Sequence, residues 1–448
     1  MKTRLLYLWD TLQTSYWFVP TIMTIMSVLL SVVTLSLEQE VKYKWAEDVA
    51  IIWAGGPEGA RQVLSTIAGS MITVAGVVFS ITIVALTLAS SQFGPRLLRN
   101  FMADKGNQIV LGTFVSTFLY CLLILRSVQG MEEHTFVPYL SVTCGLVMAL
   151  LSLGVLIYFI HHVSDSIQAE NLIATVGHEF LHAIDEMFPE KIGQSGSPQE
   201  AEPVLPENME DEAAGIQSHV NGYLQSVNSE ALIKVASEND LIISIKHRPG
   251  YFISKGAVLV KVWPPDLCTE EIAKEIRHTF ITNSHRTPTQ EVAYPINQLV
   301  EVALRALSPS INDPFTAVTC IDWLGTGLSQ ISERYIPTRY RFDQEHRLRL
   351  IADPFTFPDL ASLAFDPIRI YGKSNPMIIK SLFDLIKLLA PRIHRKEDKE
   401  ILQKLANELH KDSLSALENT DDKQNSTLCF NETMALLHKK YNQNKDFK

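Results

Sequence analysis

The chain has 448 residues, which is enough length for two or three domains, and its formal net charge is −10. The first 162 residues carry nine Lys/Arg and nine Asp/Glu, so the whole acidic excess lies in the remainder. A nucleic-acid partner would need a basic face, so the acidic excess of this half argues against such a partner. Five cysteines without a CxxC pair indicate reduced, structural thiols.

Four uncharged stretches in the first 162 residues are long enough to cross a bilayer: 11–37, 62–95, 106–125 and 135–160. They predict membrane-spanning helices over about 15–37, 63–93, 107–126 and 136–160, with the lipid bilayer as partner. No small-residue cleavage site follows the first stretch, so we expect it to be a span and not a signal peptide. Lys and Arg before the first span and between the second and third favour cytoplasmic termini.

The second span carries a polar repeat of seven residues. Its members are the hydroxyl residues Thr66, Thr73, Ser80 and Thr87, with Gly69 and Gly76 on a neighbouring track. Seven residues make almost two helical turns, so both tracks form one stripe along the helix. Such a stripe either lines an aqueous pathway, where hydroxyls replace part of an ion's hydration shell, or lets helices pack closely.

No Asp, Glu, Lys, Arg or His lies within any of the four uncharged stretches. A proton-coupled pump needs an ionisable relay inside the membrane, so the sequence argues against one. A passive pathway for ions or small solutes, lined by the stripe, remains open.

The fourth span continues into a predicted juxtamembrane helix over 163–189. This helix contains a formal HExxH sequence at His178, Glu179 and His182. Two histidines four positions apart can hold zinc, and the glutamate between them can activate a bound water. The three residues lie on the polar side of the helix, and a third ligand is still required. The candidates for that ligand are His219, Glu200 and Glu202, and no spacing selects one.

The remaining chain divides into four predicted parts: an acidic linker over 190–214, a β-rich module over 215–265, a helical domain over 266–412 and a flexible tail over 413–448. Within the module we expect strands over 241–245, 251–253 and 257–262, and a short helix over 231–236.

The helical domain begins with a predicted helix from Thr269 to about Asn283. A second helix is expected from Pro295 through Leu307. Asp313 is expected to cap the next helix, because an aspartate followed by proline is a typical N-cap and first helical position.

The string Ala303–Pro314, ALRALSPSINDP, resembles the signature of a family of bacterial membrane proteins catalogued as domain of unknown function 2254. The resemblance extends over most of residues 5–390 and includes the run SSQFGPR over 90–96. It implies four N-terminal spans and a cytoplasmic C-terminal half, and it implies no established activity. Its motif residues here are Arg286, Arg305, Ser308, Pro309, Asn312, Asp313 and Pro314. Glu291 stands where the family leads us to expect an aspartate.

Two interpretations of the motif stay open. Arg305, Asn312 and Asp313 could form a ligand pocket. Alternatively, Glu301 and Arg305 form a helical ion pair, and the residues after Ser308 end one helix and cap the next. A fixed corner of this kind could also be a subunit contact.

A second resemblance concerns residues 222–262, whose order of strands and turns is similar to the half-barrels of lipoyl and biotinyl carriers. Those carriers present a modified lysine on a hairpin. Here the corresponding position holds the insertion Ser229–Asn239 without a Met-Lys-Met sequence. We therefore expect a structural or docking module and no cofactor.

Together these patterns predict a four-helix transmembrane domain followed by a cytoplasmic α+β domain that contains a small β half-barrel. We expect a homo-oligomer in the bacterial inner membrane, and we favour a non-enzymatic function. The leading hypothesis is a channel-like pathway lined by the second span, with the cytoplasmic half serving assembly or gating. The alternatives are a membrane-tethered zinc metallohydrolase that uses His178, Glu179 and His182, and a non-conducting scaffold or sensor.

Overall fold

The computed structural model describes two compact units, Met1–Asn171 and Leu172–Lys448. The residues it describes are 15–40, 56–94, 102, 104–131, 134–166, 168–188, 203, 205–206 and 208–443.

The first unit contains four long apolar helices. These are α1 (Phe18–Glu40), α2 (Pro57–Phe93), α3 (Lys105–Ser127) and α4 (Tyr139–Ser166). Each has the length and composition to cross a membrane, in agreement with the four predicted spans. The short strands β1 (Gln129–Met131) and β2 (His134–Phe136) form a hairpin between α3 and α4.

Helix α3 lies at the centre of this unit and packs against α1, α2 and α4. The side chain of Tyr120, on α3, is fully buried in a cluster with Leu64 and Ile124. The Tyr120 hydroxyl donates to the Ser141 carbonyl at 3.1 Å and lies 3.1 Å from the Thr34 hydroxyl. Buried polar groups of a membrane domain need such partners, because the hydrocarbon supplies none.

The second unit combines helices with two small sheets. Its first elements are α5 (Ala169–Met187), α6 (Met209–Glu212), β3 (Ala214–Gln217), β4 (Gly222–Val227), α7 (Ser229–Glu238), β5 (Ile242–Ile245), β6 (Phe252–Ile253), β7 (Val258–Trp263), α8 (Glu270–His278) and β8 (Phe280–Asn283). The later elements are α9 (Ala293–Ala306), α10 (Pro314–Ser332), β9 (Tyr340–Phe342), β10 (Leu348–Ile351), α11 (Phe357–Gly372), α12 (Pro376–Leu389), α13 (Lys396–Ala416) and α14 (Thr420–Gln443).

A mixed sheet of five strands has the order β3-β7-β5-β10-β9. Strand β10 runs parallel to β5, and the other neighbours in this sheet are antiparallel. A second sheet has the order β6-β4-β8. The core between these elements includes Leu224, Leu232, Ile243, Val260 and Ile276. The lipoyl-like half-barrel stays a prediction, and the five-stranded sheet recruits β9 and β10 from outside the predicted module.

Two predicted elements differ from the structure. The helix expected over 269–283 ends at His278, and the chain then enters β8, which pairs with β4. Pairing with a distant strand overrides the local helical pattern there. Much of the predicted flexible tail is the helix α14, which packs on α12 and α13. Lys387 and Glu432 form an ion pair at 2.7 Å, and the Ser413 and Ser426 hydroxyls lie 2.6 Å apart.

Candidate functional site

The polar stripe lies on the side of α2 that the described residues of the first unit leave uncovered. The buried side of this helix carries Leu64, Ala68, Ala75, Val78, Thr82, Ala85 and Ala89. Each stripe hydroxyl lies two positions from one of these residues, which is roughly 200° around a helix of 3.6 residues per turn. Thr66, Thr73, Ser80 and Thr87 are accordingly all exposed. Within the described part of the first unit, the stripe therefore does not pack against another helix.

Each of the four hydroxyls donates to the backbone carbonyl four residues earlier. The acceptors are Gln62, Gly69, Gly76 and Ile83, at 2.7–2.9 Å. The hydroxyl hydrogens are thus satisfied inside the helix, and the oxygen lone pairs stay available to water or a cation.

The glycines of the stripe are open as well. A Cβ atom built at Gly69 or Gly76 meets nothing within 4 Å. Large apolar side chains flank the stripe, and Ile72 and Phe79 are exposed about 100° around the helix from Thr73 and Ser80. The arrangement is a polar line with bare backbone, set in an otherwise apolar surface.

The HExxH sequence lies on α5, which packs against α10 in the second unit. A Cβ atom at Gly177 would collide with the Trp323 ring, and one at Gly327 would collide with Phe180. The His178 ring contacts the edge of Trp323 at a centroid distance of 5.0 Å. His182 is exposed, with its Nδ1 atom 3.8 Å from Glu186. His178 therefore takes part in the packing of two helices.

A third metal ligand is not found in the described part of the chain. Among those residues, no three His, Cys, Asp or Glu side chains are grouped closely enough to hold a metal ion. Glu200 and Glu202, two of the predicted candidates, lie outside the described residues. A metal at His178 and His182 remains a prediction without a third ligand.

The family-motif residues from Arg305 to Pro314 form the corner between α9 and α10. Asn312 adopts a left-handed backbone conformation at φ 49°, and the Asp313 amide donates to the Ala306 carbonyl at 2.8 Å. Asp313 caps α10 as predicted, because its carboxylate accepts from the Thr316 amide at 3.2 Å and from the Thr316 hydroxyl at 2.6 Å. These hydrogen bonds lower the pKa of Asp313. The Arg305 Nε atom lies 3.7 Å from the Glu301 Oε1 atom, as the predicted helical ion pair requires.

The sequence did not reveal that Arg286 and the turn at Gly250 both lie against the side chain of Glu291. Arg286 pairs with the buried carboxylate of Glu291, with Nε 3.2 Å from one oxygen. Gly250 has φ 94°, and a Cβ atom there would collide with that carboxylate. A Pro-Gly turn was the one available signal, since a positive φ favours glycine.

Comparison with known proteins gives a consistent result. The sequence profile of a family described as "Predicted membrane protein (DUF2254)" matches residues 13–388. An uncharacterized protein of Mycobacterium bovis and one of Mycobacterium tuberculosis are each 31% identical over 346 residues. The match covers 76% of this chain and 65% of each relative, so the chain spans just under two thirds of their length. No solved structure matches the chain.

Proposed function

The chain belongs to the family of predicted membrane proteins designated DUF2254, and from this premise we propose that it forms a homo-oligomeric, channel-like protein of the bacterial inner membrane. Helix α2 of each copy lines a pathway for ions or small solutes. Both termini lie in the cytoplasm, where the second unit serves assembly or gating. The observation that supports the proposal is the exposed stripe of hydroxyls and glycines on α2.

The position of the stripe is what favours a pathway. A helix face that meets lipid alone has no use for regularly spaced hydroxyls or for glycines that leave the backbone bare. Among the residues that the structure describes, none lies within 4 Å of a Cβ atom built at Gly69 or Gly76. Either a second copy or water is therefore expected against this face, since small residues allow close approach and hydroxyls suit an aqueous lining.

A ring of copies can satisfy both parts of the stripe. Gly69 lies three positions after Thr66, which places the glycine track within about 60° of the hydroxyl track on the helix surface. The glycines of one copy can then contact its neighbour while the hydroxyls face the axis. Helix α2 has 37 residues and extends for about 55 Å, so it is long enough for a continuous lining across a ~30 Å hydrocarbon core.

The proposal is tested by flux through the purified full-length protein in liposomes and by current in planar bilayers. We expect Thr73→Leu with Ser80→Leu to lower conductance at least ~10-fold, because two rings of oxygen become apolar and narrower. The matched control is Ile72→Leu with Phe79→Leu, which changes the flanking surface of the same two turns and should leave conductance unchanged. Size-exclusion chromatography checks that each variant keeps the oligomeric state of the parent.

Two results would reject the pathway. One is a parent protein that carries no current in either assay. The other is a Thr73→Leu, Ser80→Leu variant with unchanged current in an intact oligomer. An oligomer that assembles through the glycines and conducts nothing would favour the non-conducting scaffold.

A further inference from the structure

A cavity of about 460 Å³ opens in the second unit, where two inner strands of the five-stranded sheet end. The parallel neighbours β5 and β10 both end at it: Ile245 and Lys246 line it from one strand, and Ala352 and Asp353 line it after the other. Val227, the last residue of β4, completes this side. All three strands therefore point their carboxyl ends at one cavity.

This location is where sheets with parallel strands bind ligands. The chain leaves a parallel strand at its carboxyl end and usually enters a helix, so loops and helix N-termini surround a crevice there. In this protein α7 begins with Ser229, which lines the cavity, and α11 begins soon after β10. The volume lies in the range of pockets for small molecules of nucleotide size.

The wall is fixed by the segment that carries the family motif residue Arg286. The Gln290 side chain accepts from the Val227 amide at 2.9 Å and donates to the Val227 carbonyl at 3.3 Å. The paired carboxylate of Glu291 lies against Gly250, in the turn after β5. These contacts fix Val227 and Gly250 in the wall, which is the arrangement expected of a binding site that is formed before the ligand arrives.

The fixed charges on the wall balance, because Lys246 and Arg248 stand against the carboxylates of Asp353 and Asp359. His247 adds one more side chain that can become positively charged. Three consecutive residues after β5 are basic or protonatable: Lys246, His247 and Arg248. Arg248 binds Asp359 at 3.0 Å and lies over the Phe355 ring, so this arginine is already engaged. The other lining carboxylate, Asp353, pairs with Arg339 at 3.1 Å.

Lys246 and His247 are the groups best able to bind an anion. The carboxylate paired with Lys246 is that of Glu210, which is 72% exposed, and a surface pair of this kind is weak. His247 faces the ring of Tyr251 at a centroid distance of 6.5 Å. Tyr251 itself is more than half exposed and lines the cavity, so its ring can receive a planar group.

We propose that this cavity binds a phosphate-bearing small molecule with a planar ring, of the size of a nucleotide. Lys246 and His247 hold the phosphate, and Tyr251 contacts the ring. The site lies within the second unit, and its existence does not depend on whether the membrane unit conducts.

The test uses AMP as the probe, with the full-length protein in detergent and calorimetry as the readout. Inorganic phosphate and adenosine are measured in parallel, and we expect AMP to bind more tightly than either. Lys246→Met with His247→Ala should weaken AMP binding at least ~10-fold, about 1.4 kcal/mol. Tyr251→Ala should weaken AMP and leave inorganic phosphate unchanged. The matched control is Lys255→Met, since Lys255 is an exposed lysine in the turn before β7.

Melting temperatures close to that of the parent show that the variants fold. AMP that fails to bind at millimolar concentration would overturn the proposal. So would AMP binding that survives Lys246→Met with His247→Ala, or inorganic phosphate that binds as tightly as AMP with no effect of Tyr251→Ala. The last result would assign a bare anion site without a ring pocket.

Discussion

Helices α2 and α3 lie side by side in the first unit and use their hydroxyl groups differently. In the apolar stretch of 18 residues that would cross the membrane, 56% of the residues are buried in α3 and 17% are buried in α2. The buried hydroxyls of Thr117 and Tyr120 on α3 bind groups on other helices. The hydroxyls of the α2 stripe bind only their own backbone in the contacts described above.

The difference separates two roles for polar residues in a membrane helix. Hydroxyls that cross to another helix hold the bundle together, because the membrane offers them no other partner. Hydroxyls that are satisfied by their own helix add nothing to the fold of the subunit. Their regular spacing on α2 therefore needs another cause, and assembly with other copies around water supplies one.

The largest effect should come from removing the ring at the centre of the bundle. Tyr120→Ala is expected to lower the free energy of unfolding by about 3–5 kcal/mol, since Tyr120 is fully buried. Phe79→Ala on the exposed side of α2 should cost under ~0.5 kcal/mol in the isolated subunit. Unfolding of the full-length protein by SDS titration in mixed micelles measures both. Equal losses at the two positions would contradict a central α3 and an uncovered α2.

A glycine on each helix gives the next largest contrast. A Cβ atom at Gly112 on α3 would lie 3.2 Å from the Pro20 backbone on α1, so Gly112→Ala should cost about 1–3 kcal/mol through overpacking. Gly76→Ala on α2 meets open space and should stabilise the single subunit by about 0.5–1 kcal/mol, because alanine restricts the unfolded chain. The same SDS titration provides the measurement.

In the oligomer, Gly76→Ala should have a second effect that Gly112→Ala lacks. If the glycine track contacts another copy, Gly76→Ala should weaken the association of subunits while each subunit gains stability. Analytical ultracentrifugation of the parent and Gly76→Ala separates the two effects. Unchanged association would place the glycine track away from the contact between copies.

The length of the uncharged stretches was sufficient to predict the four spans, and the period of seven residues was sufficient to predict the common face of the stripe. A repeat of seven shows that Thr66 and Thr87 share a side of the helix, and it does not show which side the neighbouring helices cover. That requires the packing of Leu64 and Ala75, which depends on contacts distant in sequence. The cap at Asp313 was predictable because the accepting carboxylate and the donating groups of Thr316 lie within four residues of sequence.

The parts that sequence reasoning missed depend on distant pairing. Strand β8 follows a helical pattern and forms because β4 is available to it. The parallel partner of β5 lies more than 100 residues later, and the cavity at their ends draws its walls from five separate segments. No local pattern could bring Lys246, Gln290 and Asp353 together.

The smallest and most specific contrast exchanges one threonine on each helix for valine, which removes a hydroxyl and keeps the shape. Thr117 lies 3.2 Å from the Ser152 hydroxyl on α4, and Thr117→Val should cost about 0.6 kcal/mol, the typical value of a hydrogen bond between membrane helices. Thr73→Val should be neutral for stability, because the Thr73 hydroxyl binds the Gly69 carbonyl of its own helix. The SDS titration measures the stability of both variants.

Liposome flux measures function, and there the two variants should rank the other way round. If the stripe lines the pathway, Thr73→Val lowers the flux and Thr117→Val does not, since of these two residues only Thr73 faces away from the bundle. A Thr73→Val protein with full flux would remove the stripe from the pathway, whatever the stabilities show.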